Sequence, residues 1–293
     1  MSRDEWVDRK LYPFRSRYLD VGPGRMHYVD EGEGPVLVMV HGTPTWSFLY
    51  RKLIQGLAEG HRVIAPDHLG FGLSDKPPEW GYRPEDHAAN LELLIERLEL
   101  DDITLLVHDF GGPIGLSYAV EHPANVRSLV LFNTWMWSLE GTAAEKLSRF
   151  MAGAVGRFLY ERMNLSPRVL LKAAFGDKRK LTPEIHRHYI EAFPTPAERH
   201  GPWVLARELV GSSEFYESLR RRSWKIADHP ALLLWGMKDP AFGPSALERW
   251  RSLLTNARAV EVAEAGHFVQ EEAPGTALRE IRAFLTEVES SAG

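Results

Sequence analysis

The chain has 293 residues, 44% hydrophobic and 26% charged, the size and balance of one large globular domain or two smaller ones that need no disulfide or metal staple. Its 40 acidic and 35 basic residues leave a formal charge of −5, which argues against a nucleic-acid surface and against a polybasic membrane anchor. With no cysteine, a disulfide framework, a thiolate zinc site and a Cys nucleophile are all excluded.

The N-terminal stretch MSRDEWVDRKLYPF is charged and lacks the apolar core of a signal peptide. No later run approaches the roughly 18 apolar residues of a membrane span. The expectation is a cytoplasmic protein without a transmembrane segment. RYLDV (17–21) and RMHYVD (25–30), divided by Gly-Pro-Gly, predict an antiparallel hairpin. VLVMVH (36–41) is continuously apolar, as a strand covered on both faces should be. A helix near 47–59, a strand RVIAPD (62–67) and a helix near 84–99 follow. Next come ITLLVHD (103–109), a helix near 112–121, and VRSLVLFN (126–133). Residues 135–228 are rich in helix formers, aromatics and Arg, with no convincing buried strand. The strand pattern resumes in ALLLWG (231–236) and RAVEVA (258–263), and a helix near 274–288 ends it. Alternating strands and helices predict an eight-stranded, mostly parallel α/β sheet. The core would comprise 1–134 and 229–293. The helical segment 135–228 would be a cap inserted over the carboxyl ends of the strands, where such folds bind ligands.

VHDFGG (107–112) has the form of a strand–turn–helix nucleophile elbow with Asp109 at its apex. A plain βα turn in which Asp109 caps the helix would read the same way. Two further segments favour the elbow. WGMKDPAF sets Asp239, and AEAGHFVQEE sets His267, just past the last two predicted strands. Nucleophile, acid and histidine then follow in α/β-hydrolase order. In that geometry the backbone N–H groups of Thr43, in VHGTPTW, and of Phe110 would form the oxyanion hole. A carboxylate can displace a leaving group from saturated carbon and form an alkyl ester. His267, oriented by Asp239, would then activate water against that ester.

The chain resembles the haloalkane dehalogenase family of α/β-hydrolases over nearly its whole length. The likeness rests on LYPFRSRY, HYVDEGEGP, HGTPTWSFLYR, PDHLGFGLSDKP, VHDFGGPIG, NTWMW, FPTPAERHGPWVLAREL, WGMKDPAF and GHFVQEEAP. The resemblance implies an α/β-hydrolase fold and a triad of Asp109, His267 and Asp239. In another branch of the family the acid is a Glu after the sixth strand. That place is Asn133 here, so Asp239 is preferred. The matching branch also includes relatives that decarboxylate β-lactones. The family holds its leaving halide with a Trp after the nucleophile and an Asn after His-Gly, or with a second Trp from the cap. Phe110, which has no side-chain N–H, and Thr43, whose hydroxyl is a weaker and rotatable donor, occupy the first two places, so leaving-group donors are sought in Thr43 itself and in Trp135, Trp137 and Trp203. Epoxide hydrolases use cap tyrosines instead, for which Tyr160, Tyr189 and Tyr216 are candidates and Tyr189 is best placed.

Other signals are weak. FGGPIG lacks dinucleotide-binding spacing, and there is no Walker A motif. His186 and His188 do not share a helix face, so no metal is expected. The run LRRRSWK (219–225) reads as solvated surface. A small hydrophobic substrate, no cofactor, no nucleic acid, and a monomer or homodimer are expected. A non-catalytic receptor on this fold would have no need of base and acid together.

Overall fold

The computed structural model describes residues 4–291. Eight strands form one sheet: β1 Arg17–Asp20, β2 Arg25–Glu31, β3 Val36–Val40, β4 Arg62–Pro66, β5 Ile103–Asp109, β6 Val126–Thr134, β7 Ala231–Gly236 and β8 Ala257–Val262. Their spatial order is β1-β2-β4-β3-β5-β6-β7-β8. β1 pairs antiparallel with β2, and β2 antiparallel with β4; every later pairing is parallel. The expected α/β-hydrolase fold is therefore present.

Burial explains which sequences became which strands. Every residue of β5 and of β7 is buried, because helices cover both sheet faces, and both read as near-continuous apolar runs. The outer strands β1 and β8 are mostly exposed or half-buried and carry Arg, Asp and Glu, which suits sheet edges. Three core helices are α1 Arg51–Leu57, α2 Pro84–Arg97 and α3 Gly111–Glu121. α2 starts with Pro84 in its first turn, and Asp86 Oδ2 accepts the Arg83 N–H at 3.1 Å to close the end. α3 begins one residue after Phe110 and stops at His122, before Pro123.

Between β6 and β7 the chain makes six helices: α4 Ala143–Ala152, α5 Ala154–Glu161, α6 Leu171–Ala173, α7 Pro183–Glu191, α8 His200–Gly211 and α9 Ser213–Arg222. α4 and α5 both pack against α8. After β7 come α10 Pro244–Leu253, the one-turn α11 Val269–Glu272 and α12 Pro274–Ser291. The short α11 was not expected from sequence. Among the described residues no helix is long and apolar enough to cross a membrane.

One close approach fixes the centre of the sheet. A Cβ on Gly111 would overlap the main-chain carbonyls of Val40 and His41, so α3 seats directly against the end of β3. Backbone cannot yield as a flexible side chain can. Gly111→Ala should lower stability by about 1–3 kcal/mol, the usual cost of overpacking. The urea midpoint reads this, and an unchanged midpoint would show that α3 can slide.

Candidate active site

Asp109 is the last residue of β5 and has φ +52°, a left-handed conformation in which a non-glycine residue is strained. Surrounding bonds hold it there: Thr134 Oγ1 donates to the Asp109 carbonyl at 2.5 Å. The strain lifts the carboxylate off the end of the sheet toward the loop after β3. There the Thr43 N–H donates to Asp109 Oδ1 at 2.9 Å. Gly42 permits this approach, because a Cβ at that position would overlap the Asp109 carboxylate.

His267 lies in the turn between β8 and α11, and its Nδ1 bonds Asp239 Oδ2 at 2.7 Å. Its Nε2 stands 3.4 Å from Asp109 Oδ2. Asp109, Asp239 and His267 are all buried, at 7%, 6% and 5% exposure, so bulk water does not screen them. Three chain-distant segments thus converge in one cluster.

Several groups that sequence reasoning passed over hold this cluster. Asn133 was read only as the lack of an alternative acid. Its Nδ2 donates to Asp239 Oδ2 at 2.9 Å and to the carbonyls of Gly236 and Phe242 at 3.0 and 3.2 Å. Its Oδ1 accepts the Gly236 N–H at 2.8 Å. The other oxygen of Asp239 accepts the Ala241 N–H at 2.7 Å. His108 Nε2 lies 2.9 Å from the His267 carbonyl, which requires an Nε2–H that donates. The His267 N–H donates to the Ala174 carbonyl at 2.9 Å. Glu272 accepts the Gly266 N–H and the Asp177 N–H, each at 2.8 Å.

Charge settles the protonation states. Burial by itself would depress His267, but the negative charges and hydrogen bonds of Asp239 and Asp109 outweigh it and raise its pKa to about 10. Burial pushes Asp239 up, and the charge and hydrogen bond of His267 reverse this to a net lowering. His108 is lowered to about 3, chiefly by burial and then by His267, so it stays neutral.

The remaining candidates separate by their hydrogen bonds. The Thr43 hydroxyl and the Trp135 Nε1–H are both buried without a hydrogen-bond partner. Trp135 meets Phe110 edge-on at 4.8 Å and stacks on Phe242 at 4.7 Å. Phe242 in turn lies 6.0 Å from the His267 ring. Trp203 Nε1 donates to the Met151 carbonyl at 2.9 Å. Trp137 packs on Trp250 with Arg249 over its ring. The Tyr189 hydroxyl donates to Glu271 Oε1 at 2.6 Å, and that of Tyr216 to the Glu208 carbonyl at 2.7 Å. Tyr160 is buried in a small cluster with Met151, Tyr82 and Trp203. Among the described residues no group of three His, Cys, Asp or Glu side chains is disposed to hold a metal ion.

The same order of elements recurs in known proteins. Residues 35–274 match the alpha/beta hydrolase fold family. Haloalkane dehalogenase 2 of Mycobacterium tuberculosis is 38% identical over 276 residues, spanning 94% of this chain and 96% of the relative. A cis-3-alkyl-4-alkyloxetan-2-one decarboxylase of Shewanella oneidensis is 32% identical, spanning 96% and 92%. The crystal structure of a haloalkane dehalogenase from Agrobacterium tumefaciens superposes with a TM-score of 0.84 at 26% identity, covering 94% of this chain and 97% of that one. Identity on this scale, across nearly the full length of each chain, accounts for sheet and loops together: the protein is a hydrolase and belongs to the haloalkane dehalogenase-like family of α/β-hydrolases.

Proposed function

We propose that the protein displaces a leaving group from carbon through a covalent alkyl ester on Asp109, with His267 as base and Asp239 as the acid that orients it. The main support is the unequal setting of the two Asp109 oxygens. Oδ1 accepts the Thr43 N–H at 2.9 Å, whereas Oδ2 faces His267 Nε2 at 3.4 Å. Oδ2 attacks the substrate carbon, and the leaving group departs with the bonding pair. His267 carries a proton at rest, because two carboxylates flank it. Esterification neutralises one of them and lowers the His267 pKa, so the proton leaves and a base appears only when one is needed. Neutral His267 then takes a proton from water, whose oxygen attacks Cγ of Asp109. Negative charge collects on Oδ1 against the N–H groups of Thr43 and Phe110. The Cγ–Oδ2 bond breaks and the alcohol leaves with the proton held by His267; the acid left on Asp109 then gives its proton to His267, restoring the carboxylate and the protonated resting histidine.

Haloalkane cleavage is the first reading of the substrate, with the Thr43 hydroxyl and the Trp135 Nε1–H receiving the departing halide. Both are buried donors without partners, and such a group costs about 1–3 kcal/mol. An anion between them would offset that cost. Opening of a β-lactone is the second reading. It is favoured by Phe110, whose ring offers no donor beside the nucleophile, and by the likeness to the oxetanone decarboxylases. Epoxide opening is less well supported, since the Tyr189 and Tyr216 hydroxyls already donate to Glu271 and to the Glu208 carbonyl. Segment 135–228 serves as the cap that closes over a small hydrophobic substrate.

His267→Phe should stall the cycle at the ester. Intact-mass spectrometry after exposure to a bromoalkane or a β-lactone should show a stoichiometric adduct that maps to Asp109, while Asp109→Asn stays unmodified and inactive. Wild-type turnover with no adduct in the His267→Phe protein would exclude the ester.

Asp109→Asn imitates the neutral charge of the ester. The NMR titration of His267 should therefore move down from about 10. The accompanying stability, full below the unfolded histidine pKa of about 6.5 and lost as pH rises through the folded value, should fade at a lower pH in the variant. An unmoved titration would leave Asp239 as its sole cause.

Trp135→Phe should slow bromide release by roughly 10²-fold, the scale of losing one preorganised donor. It should leave β-lactone opening within a factor of a few. Equal losses on both substrates would mean that Trp135 acts by packing alone.

A further inference from the structure

Eight large hydrophobic side chains are exposed among the described residues, and six fall in one run: Leu147, Phe150, Val155, Phe158, Met163 and Val169. Leu147 and Phe150 are three apart on α4, and Val155 and Phe158 are three apart on α5, so each pair shares one helix face. The other faces are used in packing, with Ser148 and Met151 of α4, and Gly156 and Tyr160 of α5, buried. These side chains are thus not exposed because their helices are detached.

The charges in the same stretch are one-sided. Residues 143–172 contain six basic side chains, Lys146, Arg149, Arg157, Arg162, Arg168 and Lys172, and all six are exposed. Against them stand Glu145 and Glu161, which pair with Arg149 and Arg157. Lys146, Arg162, Arg168 and Lys172 enter no ion pair among the described residues. The segment carries +4 within a chain of −5, which leaves −9 on everything else. Whole-chain charge argued against a basic anchor only because it averages two opposite regions.

We propose that this face of the α4–α5 region docks on an anionic lipid surface. Phe, Leu, Val and Met interleaved with Lys and Arg on surface helices suit the boundary between headgroups and acyl chains, where apolar side chains insert and cations meet phosphate. The negative remainder of the molecule is repelled by the same surface, which orients the protein with α4 and α5 toward it. A second copy is a poorer occupant. A two-fold contact would lay the same basic patch on itself, like charge on like. The inference stands apart from the reaction assigned to the buried triad.

The test is sedimentation of the full chain with vesicles of phosphatidylglycerol mixed into phosphatidylcholine, and with phosphatidylcholine alone. Binding should be at least roughly tenfold tighter to the anionic vesicles and should weaken as salt rises. Phe150→Ser/Phe158→Ser and, separately, Lys146→Glu/Arg162→Glu should each reduce binding by about tenfold or more, with catalytic turnover retained. The charge pair reads the same contact should the serine pair fail to fold. Failure of the wild type to sediment with anionic vesicles would overturn the proposal, as would variants that bind as well as wild type. So would light scattering that finds a dimer which the serine pair dissociates.

Discussion

A histidine buried between two carboxylates is the constraint around which the rest of the molecule is arranged. Taking ions out of water is costly, and their attraction repays it only if the geometry is held and the remaining lone pairs are satisfied. The sheet meets the first demand by ending β5 at Asp109 and β7 three residues before Asp239, on one rim. Asn133 meets much of the second. By bonding Gly236, Phe242 and Asp239 at once, it ties the end of β6 to the loop after β7 and leaves Asp239 Oδ2 pointing at His267. Neutral His108, donating to the His267 carbonyl from behind, adds a support without adding charge.

The two acidic residues after His267 couple this cluster to the helical insertion. Glu272 receives one N–H from Gly266, beside His267, and one from Asp177, between α6 and α7. Burial raises its pKa, and the N–H groups it accepts oppose that shift. Glu271 takes the Arg51 guanidinium from α1, including a bond of 2.8 Å to Oε2, and the Tyr189 hydroxyl from α7 at 2.6 Å. Trp46, in the loop after β3, reaches the His188 carbonyl at 3.2 Å. The turn carrying His267 and the loop carrying Thr43 are therefore each bonded to the insertion. A shift of α7 cannot occur without disturbing both.

These links also explain what the sequence could reveal. Strands β5, β6 and β7 were legible because burial on both faces forces long apolar runs, and the positions of Asp109 and Asp239 follow from where β5 and β7 end, whereas His267 follows the half-exposed edge strand β8. Asn133 was not legible as a support, since its value lies in bonds to residues more than a hundred positions away. Glu271 and Glu272 have the composition of a solvated surface, and only the fold buries them against Arg51 and two backbone N–H groups. Tyr189 carried the pattern of a cap tyrosine, yet its hydroxyl is bonded to a buried carboxylate. Local pattern reports which face of an element is apolar. It does not report which polar group waits on the other side.

Phe110 is the sharpest instance, because its main chain and side chain carry opposite implications. As backbone it contributes an N–H at the start of α3, which any residue but proline could supply. As a side chain it meets Trp135 edge-to-face at 4.8 Å and 80°, a stable aromatic arrangement that fixes both rings. An indole at position 110 would carry its own N–H beside Asp109. With Phe there, an indole N–H is found instead on Trp135, one residue past the end of β6, buried and without a partner. On the proposed chemistry the donor has moved from the elbow to the neighbouring strand end, while the ring at position 110 has become the wall that holds it. On the same proposal that division would make the oxyanion hole independent of the leaving group, since Phe110 would serve ester hydrolysis by its backbone whatever Trp135 receives.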